Sequence, residues 1–345
     1  MKLSNIIETL DKKVIEFGGD NYSIGLADGK LGHCVYYYYT GRVLYNKEYT
    51  QMAESLTGEI FEQISKTKLI DIKNGLAGIG LGIDYLLENK YAEGNTNDIL
   101  KDVDDELFKQ ICNPEKPSNN DISLQLQLIY YFTIRLKKQN KNSENEYLFR
   151  DAVINAINFI SDKIYSLFLE EPLSFNLENT SILSLLGLSQ CDELYKDKIS
   201  RILKEMSSCA LSKIPVLHAN RLYLLYAMYR INKKIETKGW DEHIKLLARE
   251  SNIEHIIENE LADDIYFSNG LPAIYFLLSN LGDYFSSNQI YNYKELIINK
   301  IENSPKWEKL LNNEDYLKQK SGLFSGYKGT SILLHKHYKD ENRFN

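Results

Sequence analysis

Two pairs of neighbouring side chains could carry chemistry in this sequence. Asp263 and Asp264 precede an apolar segment, and two carboxylates together can serve as general acid and base or hydrolyse a glycosidic bond. His33 and Cys34 could bind a metal ion together with Cys191 or Cys209. Acidic residues also cap helices, however, and a cysteine one turn into an apolar helix is commonly a small core residue. We therefore interpret the first pair as a candidate catalytic or capping pair and the second as part of the core.

The cysteines indicate a reducing compartment. The four of them lie far apart and form no Cys-x-x-Cys pair, so they suggest neither a disulfide framework nor a zinc ribbon. The first residues lead into an amphipathic pattern with Asp11, Lys12 and Lys13 inside it, which lacks the apolar centre of a signal peptide. These features predict a cytoplasmic protein.

Charge and hydropathy exclude two classes of partner. The 345 residues carry a formal net charge of −7, and mixed signs along the chain leave no basic stripe for a phosphate backbone. No run of about 18 apolar residues is present, so we predict no transmembrane helix. Nucleic acid and a membrane span are therefore not expected.

A Gly-x-x-Gly pattern recurs along the chain, and each copy opens an apolar segment. The three clear copies and the four degenerate ones lie at 28–34, 74–80 and 325–331, and at 121–124, 179–182, 218–221 and 269–273. Their starts are separated by roughly 40 to 57 residues, a period typical of arrays of helix pairs. A glycine at a helix start lets backbones approach closely and tolerates positive φ.

The segments between these copies are amphipathic. Within 49–64 and 99–111, apolar residues recur at spacings of three and four and define one buried stripe. A helix that is apolar on every side must be surrounded, whereas a helix with one stripe lies at the periphery. No linker rich in Gly, Ser or Pro interrupts the pattern. We therefore predict one all-α domain over 1–345, with seven inner helices wrapped by seven outer ones.

The motif Gly-Leu-Ala-Gly-Ile-Gly at 75–80, with its copies at 29–32 and 326–329, resembles the lanthionine synthetase C-like family. The resemblance covers nearly the whole chain and implies an α/α toroid of seven inner and seven outer helices. Active members add cysteine thiols to dehydrated Ser or Thr residues of a precursor peptide. They use a zinc ion held by two Cys and one His, because zinc lowers the pKa of a bound thiol and the thiolate is the nucleophile. The implied partner is a precursor peptide or another peptide-maturation protein.

This sequence departs from the family at the zinc ligands. The family's Trp-Cys-Tyr-Gly and Cys-His-Gly signatures should fall among the later inner helices, where the chain reads Tyr-Phe-Ser-Asn-Gly at 266–270 and Leu-His-Ala-Asn at 217–220. Ser268 stands where a cysteine is needed, and no Cys-His pair follows residue 209. We therefore predict no zinc and no other cofactor. By the same resemblance, His218 matches the family's acid/base histidine, although the glycine that should follow it is absent.

The predicted arrangement points the N-terminal ends of the inner helices toward a common mouth, where their dipoles favour an anionic or extended ligand. Aromatic side chains near these helix starts would supply contact area for a peptide. The predicted mouth residues are Tyr22, Tyr266, Phe267, Ser268, Phe324 and Tyr327.

Three hypotheses follow for the function. The first is a bacterial lanthionine synthetase C-like protein that has lost the zinc site and binds a peptide or a partner protein. The second is an active cyclase with an unorthodox site built on His218 and an acidic residue such as Asp263. The third is an unrelated α/α-toroid glycosidase, which would need two carboxylates about 5 to 9 Å apart in a deep cleft.

Overall fold

The computed structural model describes residues 3–17, 23–113, 121–161, 163–164, 180–261 and 264–341. Within these ranges the regular secondary structure is helical, and no residue lies in a strand. The helices in chain order are α1 Leu3–Glu16, α2 Lys30–Leu44, α3 Lys47–Gln63, α4 Leu76–Glu88, α5 Thr96–Ile111, α6 Ile122–Lys137, α7 Glu144–Ser161, α8 Thr180–Ser212, α9 His218–Asn232, α10 Trp240–Glu250, α11 Ile253–His255, α12 Leu271–Ser279, α13 Ser287–Glu302, α14 Lys306–Asn312, α15 Glu314–Gln319 and α16 Tyr327–Glu341. A 3-10 turn, Ile64–Lys66, follows α3, and a π-helix, Ile256–Glu260, follows α11. Each helix in the described ranges is too short or not apolar enough to span a bilayer.

A helix begins at each of the seven positions where the sequence predicts an inner helix. These helices are α2, α4, α6, α8, α9, α12 and α16. The fourth of them, α8, runs for 33 residues because two helices join without a loop at Tyr195, whose φ of −137° and ψ of 39° are not helical. The predicted helix starts are therefore confirmed, including the degenerate ones.

The chain divides into two compact units. Unit 1 comprises Met1–Leu100, Leu261–Phe276 and Tyr291–Asn345, and unit 2 comprises Lys101–Glu260 and Leu277–Ile290. The single domain over 1–345 remains a prediction.

In unit 1, four inner-type helices begin with the same seven-residue loop. The loops are 23–29, 69–75, 264–270 and 320–326, and they precede α2, α4, α12 and α16. In each case the first helical N–H donates to the carbonyl oxygen of the first loop residue, seven positions earlier. The four bonds are Lys30 to Ser23 at 2.7 Å, Leu76 to Leu69 at 2.9 Å, Leu271 to Asp264 at 2.8 Å, and Tyr327 to Lys320 at 2.9 Å. The sequence repeat is therefore a structural repeat as well.

The fifth residues of these loops are hydrogen-bonded to one another through the main chain. The N–H of Ser268 donates to Phe324 O at 3.0 Å, and the N–H of Phe324 donates to Ala27 O at 2.8 Å. The N–H of Ala27 then donates to Lys73 O at 3.0 Å. Loops far apart in sequence are thus joined by backbone groups, which depend little on side-chain identity.

The glycines of the motif are required by close approach rather than by positive φ. Gly75 has φ −108° and ψ −172°, an extended conformation that any residue adopts. A Cβ atom on Gly75 would lie 2.5 Å from the backbone N of Asp71, and one on Gly78 would collide with the carbonyl oxygen of Ile72. The expected crowding at helix starts is therefore present, whereas the expected use of positive φ is wrong here.

Replacing Gly78 with alanine should destabilise the protein by about 1–3 kcal/mol, because the new methyl group meets main-chain atoms that cannot move aside. Gly58 of α3 is the matched control, since a Cβ atom there meets nothing within 4 Å. Gly58→Ala should stabilise the helix by about 0.5–1 kcal/mol. Urea denaturation of both variants measures the difference, and equal effects would contradict the crowding argument.

A buried carboxylate ties the helices of unit 1 together. Asp11 of α1 accepts hydrogen bonds from the hydroxyls of Tyr36 at 2.8 Å, Tyr49 at 2.9 Å and Tyr327 at 2.7 Å, which belong to α2, α3 and α16. Burial raises the pKa of Asp11, while the charge of Lys328 and the three hydroxyls oppose that shift. The tyrosines therefore bind a polar group in the core rather than only filling space.

Lys328 of α16 is fully buried beside this carboxylate. Its Nζ lies 2.9 Å from His33 Nδ1 and donates to the Tyr37 hydroxyl at 3.1 Å. Burial lowers the pKa of Lys328 to about 7, although the charge of Asp11 acts in the opposite direction. Burial and the nearby lysine also lower the pKa of His33 well below its ordinary value. The core of unit 1 is thus sensitive to pH.

The stability of the protein should rise with pH above about 7. An unfolded lysine keeps its ordinary pKa of 10.5, so the unfolded chain binds more protons than the folded chain between pH 7 and that value. The free energy of unfolding should increase between pH 7 and about 9 by at most about 1.4 kcal/mol per pH unit and lose this gain as the pH falls toward 7. Nearer pH 10 the raised pKa values of the buried tyrosines Tyr36, Tyr49 and Tyr327 act in the opposite direction. Lys328→Met should abolish the slope, and Lys336→Met on the exposed side of α16 should retain it. Urea denaturation across the window tests this, and an unchanged slope in Lys328→Met would contradict it.

Unit 2 contains its own buried ion pair. The Nη2 of Arg135 lies 2.6 Å from Asp104 Oδ2, its Nε donates to the same carboxylate at 3.1 and 3.2 Å, and the Tyr131 hydroxyl donates to Asp104 at 2.6 Å. The guanidinium group is fully buried. This pair joins α5 to α6, and such geometry offsets the desolvation of both charges.

Candidate functional site

A carboxylate from 42 residues further along the chain caps the N-terminus of α9. The N-cap residue, Leu217, supplies no side-chain hydrogen bond. Glu260 accepts from the His218 N–H with Oε1 and from the Ala219 N–H with Oε2, both at 2.8 Å. The positive end of the helix dipole favours a carboxylate at this place. Glu260 is therefore fixed directly beside His218.

The imidazole ring of His218 is held at its Nδ1 edge. The carbonyl oxygen of Glu250 lies 3.0 Å from Nδ1, and the N–H of Asn252 donates to Nδ1 at 3.1 Å. Arg221 places Nη1 3.1 Å from the same nitrogen while it donates to the carbonyls of Pro215 and Glu250, both at 2.6 Å. The main chain around 250–252 thus fixes the ring, and Nε2 lies on the opposite edge.

A π turn brings a second histidine to the same place. His255 ends α11, and the π-helix Ile256–Glu260 follows it directly. Because a π turn closes hydrogen bonds between residues five apart, it places His255 above Glu260, which an α-helix does not do. His255 Nε2 lies 4.0 Å from Glu260 Oε1, and the His255 side chain is 47% exposed.

His218, His255 and Glu260 form one cluster in unit 2. The two rings lie 5.2 Å apart between centroids at an angle of 70°. One ring nitrogen of each histidine and one carboxylate oxygen lie within 4.8 Å of one another. Two imidazoles with a carboxylate can transfer protons or bind a transition-metal ion.

An exposed apolar segment leads into this cluster. Ile214, Val216 and Leu217 are 47%, 83% and 50% exposed, and they immediately precede His218. Exposed large apolar side chains in a group are typical of binding surfaces.

In unit 1, two of the predicted mouth residues lie together. The main-chain bond between Ser268 and Phe324 brings loops 264–270 and 320–326 side by side, and Phe267 and Phe324 are both half-buried. Ser268 itself is 8% exposed. Phe267 and Phe324 therefore lie on neighbouring loops, and their place in a peptide-binding mouth stays a prediction.

Comparison with known proteins gives one informative result. The sequence matches no protein-family model and no curated protein. Among solved structures, nisin cyclase aligns with a TM-score of 0.68 over 97% of this chain and 93% of its own length, at 12% sequence identity.

This chain has the fold of nisin cyclase.

That fold is an α/α toroid, so the predicted fold class is confirmed. The resemblance that the glycine motif predicts is confirmed at the same level, because an identity of 12% shows the fold alone. The glycosidase hypothesis stays untested.

A cysteine-held zinc ion does not fit the residues of this cyclase fold. Ser268 offers a hydroxyl in place of a thiolate, and its neighbour across the loops is Phe324. Among the described residues, the group of side chains that could hold a metal contains two histidines and a glutamate and no cysteine. Cys34 is buried against Ala53 and Thr57, and burial raises the pKa of its thiol to about 12. The interpretation of Cys34 as a core residue agrees with this position.

The structure corrects two of the predicted mouth residues. Tyr327 is fully buried, with its hydroxyl on Asp11, so its ring presents no surface to a peptide. Tyr266 is 3% exposed, and its hydroxyl donates to that of Tyr316 at 2.9 Å. Tyr266 of loop 264–270 and Tyr327, the first residue of α16, therefore both belong to the core. Tyr22 lies outside the described residues.

Of the candidate catalytic pair His218 and Asp263, the structure describes only His218. His218 does lie beside a carboxylate, but the carboxylate is that of Glu260, and Asp263 lies outside the described residues. His255 and Glu260 were not predicted from the sequence. Their spacing of five does not place them on one face of an α-helix, so only the π turn reveals their proximity.

Removing the Glu260 carboxylate should cost about 1–2 kcal/mol of stability, because two N–H groups at the start of α9 lose their acceptor. Glu260→Ala tests this by thermal or urea denaturation. Glu254→Ala removes an exposed carboxylate from the same segment and should leave stability within about 0.5 kcal/mol. An equal loss in both variants would contradict the capping role.

Proposed function

We propose that this chain is a lanthionine synthetase C-like protein of peptide maturation in the bacterial cytoplasm. It binds a precursor peptide or a maturation partner and does not use a cysteine-held zinc ion. The observation that carries this proposal is the likeness to nisin cyclase over nearly the full length of both chains. A toroid of the same extent is suited to receive the same class of ligand, an extended peptide.

The chemistry of the site supports binding over zinc-assisted ring closure. Thioether formation requires a thiolate, and a metal ion or another positive charge is what stabilises it near neutral pH. Ser268 supplies no thiolate ligand, and the raised pKa of Cys34 keeps its sulfur protonated. The cyclase reaction would therefore need another means of activating the peptide thiol.

Two surfaces of the chain suit peptide contact. Phe267 and Phe324 offer half-buried rings at the helix starts of unit 1, and aromatic anchors dominate many peptide interfaces. In unit 2, Val216 and Leu217 are exposed beside His218. Each surface offers apolar side chains that an extended peptide could contact.

An active cyclase with an unorthodox site is the second candidate. It is favoured by the position of His218 next to His255 and Glu260, since an imidazole beside a carboxylate can take a proton from a thiol. This candidate predicts ring closure that depends on His218.

A fluorescein-labelled synthetic peptide that carries one dehydroalanine and one cysteine distinguishes these candidates. We expect fluorescence anisotropy to show binding, and alkylation with mass spectrometry to show a free thiol that persists as long as in buffer alone. Phe324→Ala should weaken binding about tenfold, equal to about 1.4 kcal/mol, because an aromatic contact is lost.

The control for this variant is Phe61→Ala, which removes a phenylalanine that is 46% exposed on α3. It should bind the peptide like the unmodified protein. Loss of the thiol faster than in buffer, abolished by His218→Ala, would replace the binding proposal with the cyclase candidate. Absence of binding would overturn the peptide-binding proposal.

A further inference from the structure

We propose that His218, His255 and Glu260 form a binding site for a divalent transition-metal ion of the zinc type. This inference goes beyond the proposed function, because it concerns the metal alone and requires no peptide. It also replaces the sequence-based expectation that the chain holds no metal. The site would use imidazoles and a carboxylate, all from unit 2, in place of the cysteines that the family uses.

The donor set selects the class of ion. Two imidazole nitrogens and one carboxylate oxygen suit zinc and its first-row neighbours, whereas calcium and magnesium prefer oxygen donors. Three protein ligands with a fourth position open to water are the arrangement of catalytic zinc sites. The exposed side of His255 leaves room for such a water or for a ligand atom.

The distances require only a small contraction. Donor atoms around a tetrahedral zinc ion lie about 3.3–3.5 Å apart, since zinc–nitrogen and zinc–oxygen bonds are about 2.0–2.2 Å long. In the structure the three donor atoms lie within 4.8 Å of one another. His255 can close this gap by rotating its ring, because its side chain is 47% exposed and Glu260 is held by two N–H groups.

The surroundings leave Nε2 as the nitrogen of His218 that can bind a metal, because Nδ1 already accepts from the Asn252 N–H at 3.1 Å. Metal binding through Nε2 requires the proton on Nδ1, where the Glu250 carbonyl oxygen at 3.0 Å can accept it in place of the Asn252 contact. A backbone carbonyl on the second nitrogen is the usual outer partner of a metal-bound histidine.

A side-chain amide lies beside Nδ1 of His255. Its Nδ1 lies 3.2 Å from the Asn259 side-chain amide, and the oxygen and nitrogen of such an amide exchange places by a half-turn. In the turned orientation the amide oxygen accepts from Nδ1, which leaves Nε2 facing Glu260 as a ligand atom.

The π turn is an independent observation that points to a site. A π-helix is rare and has poorer packing than an α-helix, and single π turns occur frequently at functional sites. The capping of α9 accounts for the position of Glu260 but not for that of His255. An α-helix over the same residues could also supply a capping carboxylate. Only the π turn places His255 beside Glu260, which is what a shared ligand requires.

The test is titration of chelator-dialysed protein with Zn²⁺ by calorimetry, repeated with Co²⁺ in a spectrophotometer. We expect one ion per chain and, with cobalt, the visible bands of four-coordinate Co²⁺. His255→Ala should weaken zinc binding at least about 100-fold, since losing a ligand costs more than losing an outer partner. Its exposed position keeps the fold intact.

Two further variants separate the ligands from the fold. Glu260→Gln removes the charge but keeps an oxygen that accepts from α9, so it should lose zinc affinity and stay folded. Glu254→Gln, one residue from His255, should bind zinc like the unmodified protein. Absence of stoichiometric zinc, or equal affinity in His255→Ala, would overturn the proposal. Either result leaves the peptide-binding test unaffected, because that test contains no added metal.

Discussion

Where α2, α4, α12 and α16 begin, the main chain approaches itself so closely that no side chain fits on the last residue of the loop. That residue is glycine in all four loops, at positions 29, 75, 270 and 326, and a Cβ atom there would meet backbone atoms of the same loop. The approach allows the helix start to bond to the beginning of its loop, and it lets neighbouring loops exchange main-chain hydrogen bonds. The packing of unit 1 depends on this constraint, because backbone donors and acceptors must be paired once they are buried.

Main-chain hydrogen bonds of this kind can recur in chains whose sequences differ widely. The fold of nisin cyclase recurs in this chain at 12% sequence identity, and in unit 1 the helix starts are joined by main-chain hydrogen bonds between their loops. Ser268 takes part in this bonding through its main chain, which does not depend on the identity of its side chain. Function resides in sites carried by a fold rather than in the fold itself.

In both units, carboxylates that are shielded from water have hydrogen-bond partners within the same unit. Asp11 receives three tyrosine hydroxyls, and Asp104 receives Arg135 and Tyr131, so each carboxylate is satisfied within its own unit. Glu260 caps α9 and at the same time faces His255 across a π turn. Because two N–H groups of α9 hold the Glu260 carboxylate, its position is fixed in the way that a metal ligand requires.

The helical class, the seven helix starts and the glycine motif follow from the amino-acid sequence, because apolar periodicity and Gly-x-x-Gly spacing are local signals. It also indicated that Cys34 belongs to the core and that His218 begins a helix. The inward direction of Tyr266 and Tyr327 depends on tertiary structure, since a side chain near a helix start is oriented by contacts with distant residues such as Tyr316 and Asp11. The partners of His218 were likewise decided by tertiary structure: Glu260 is 42 residues away, and a π turn, which follows no simple sequence period, brings His255 beside it.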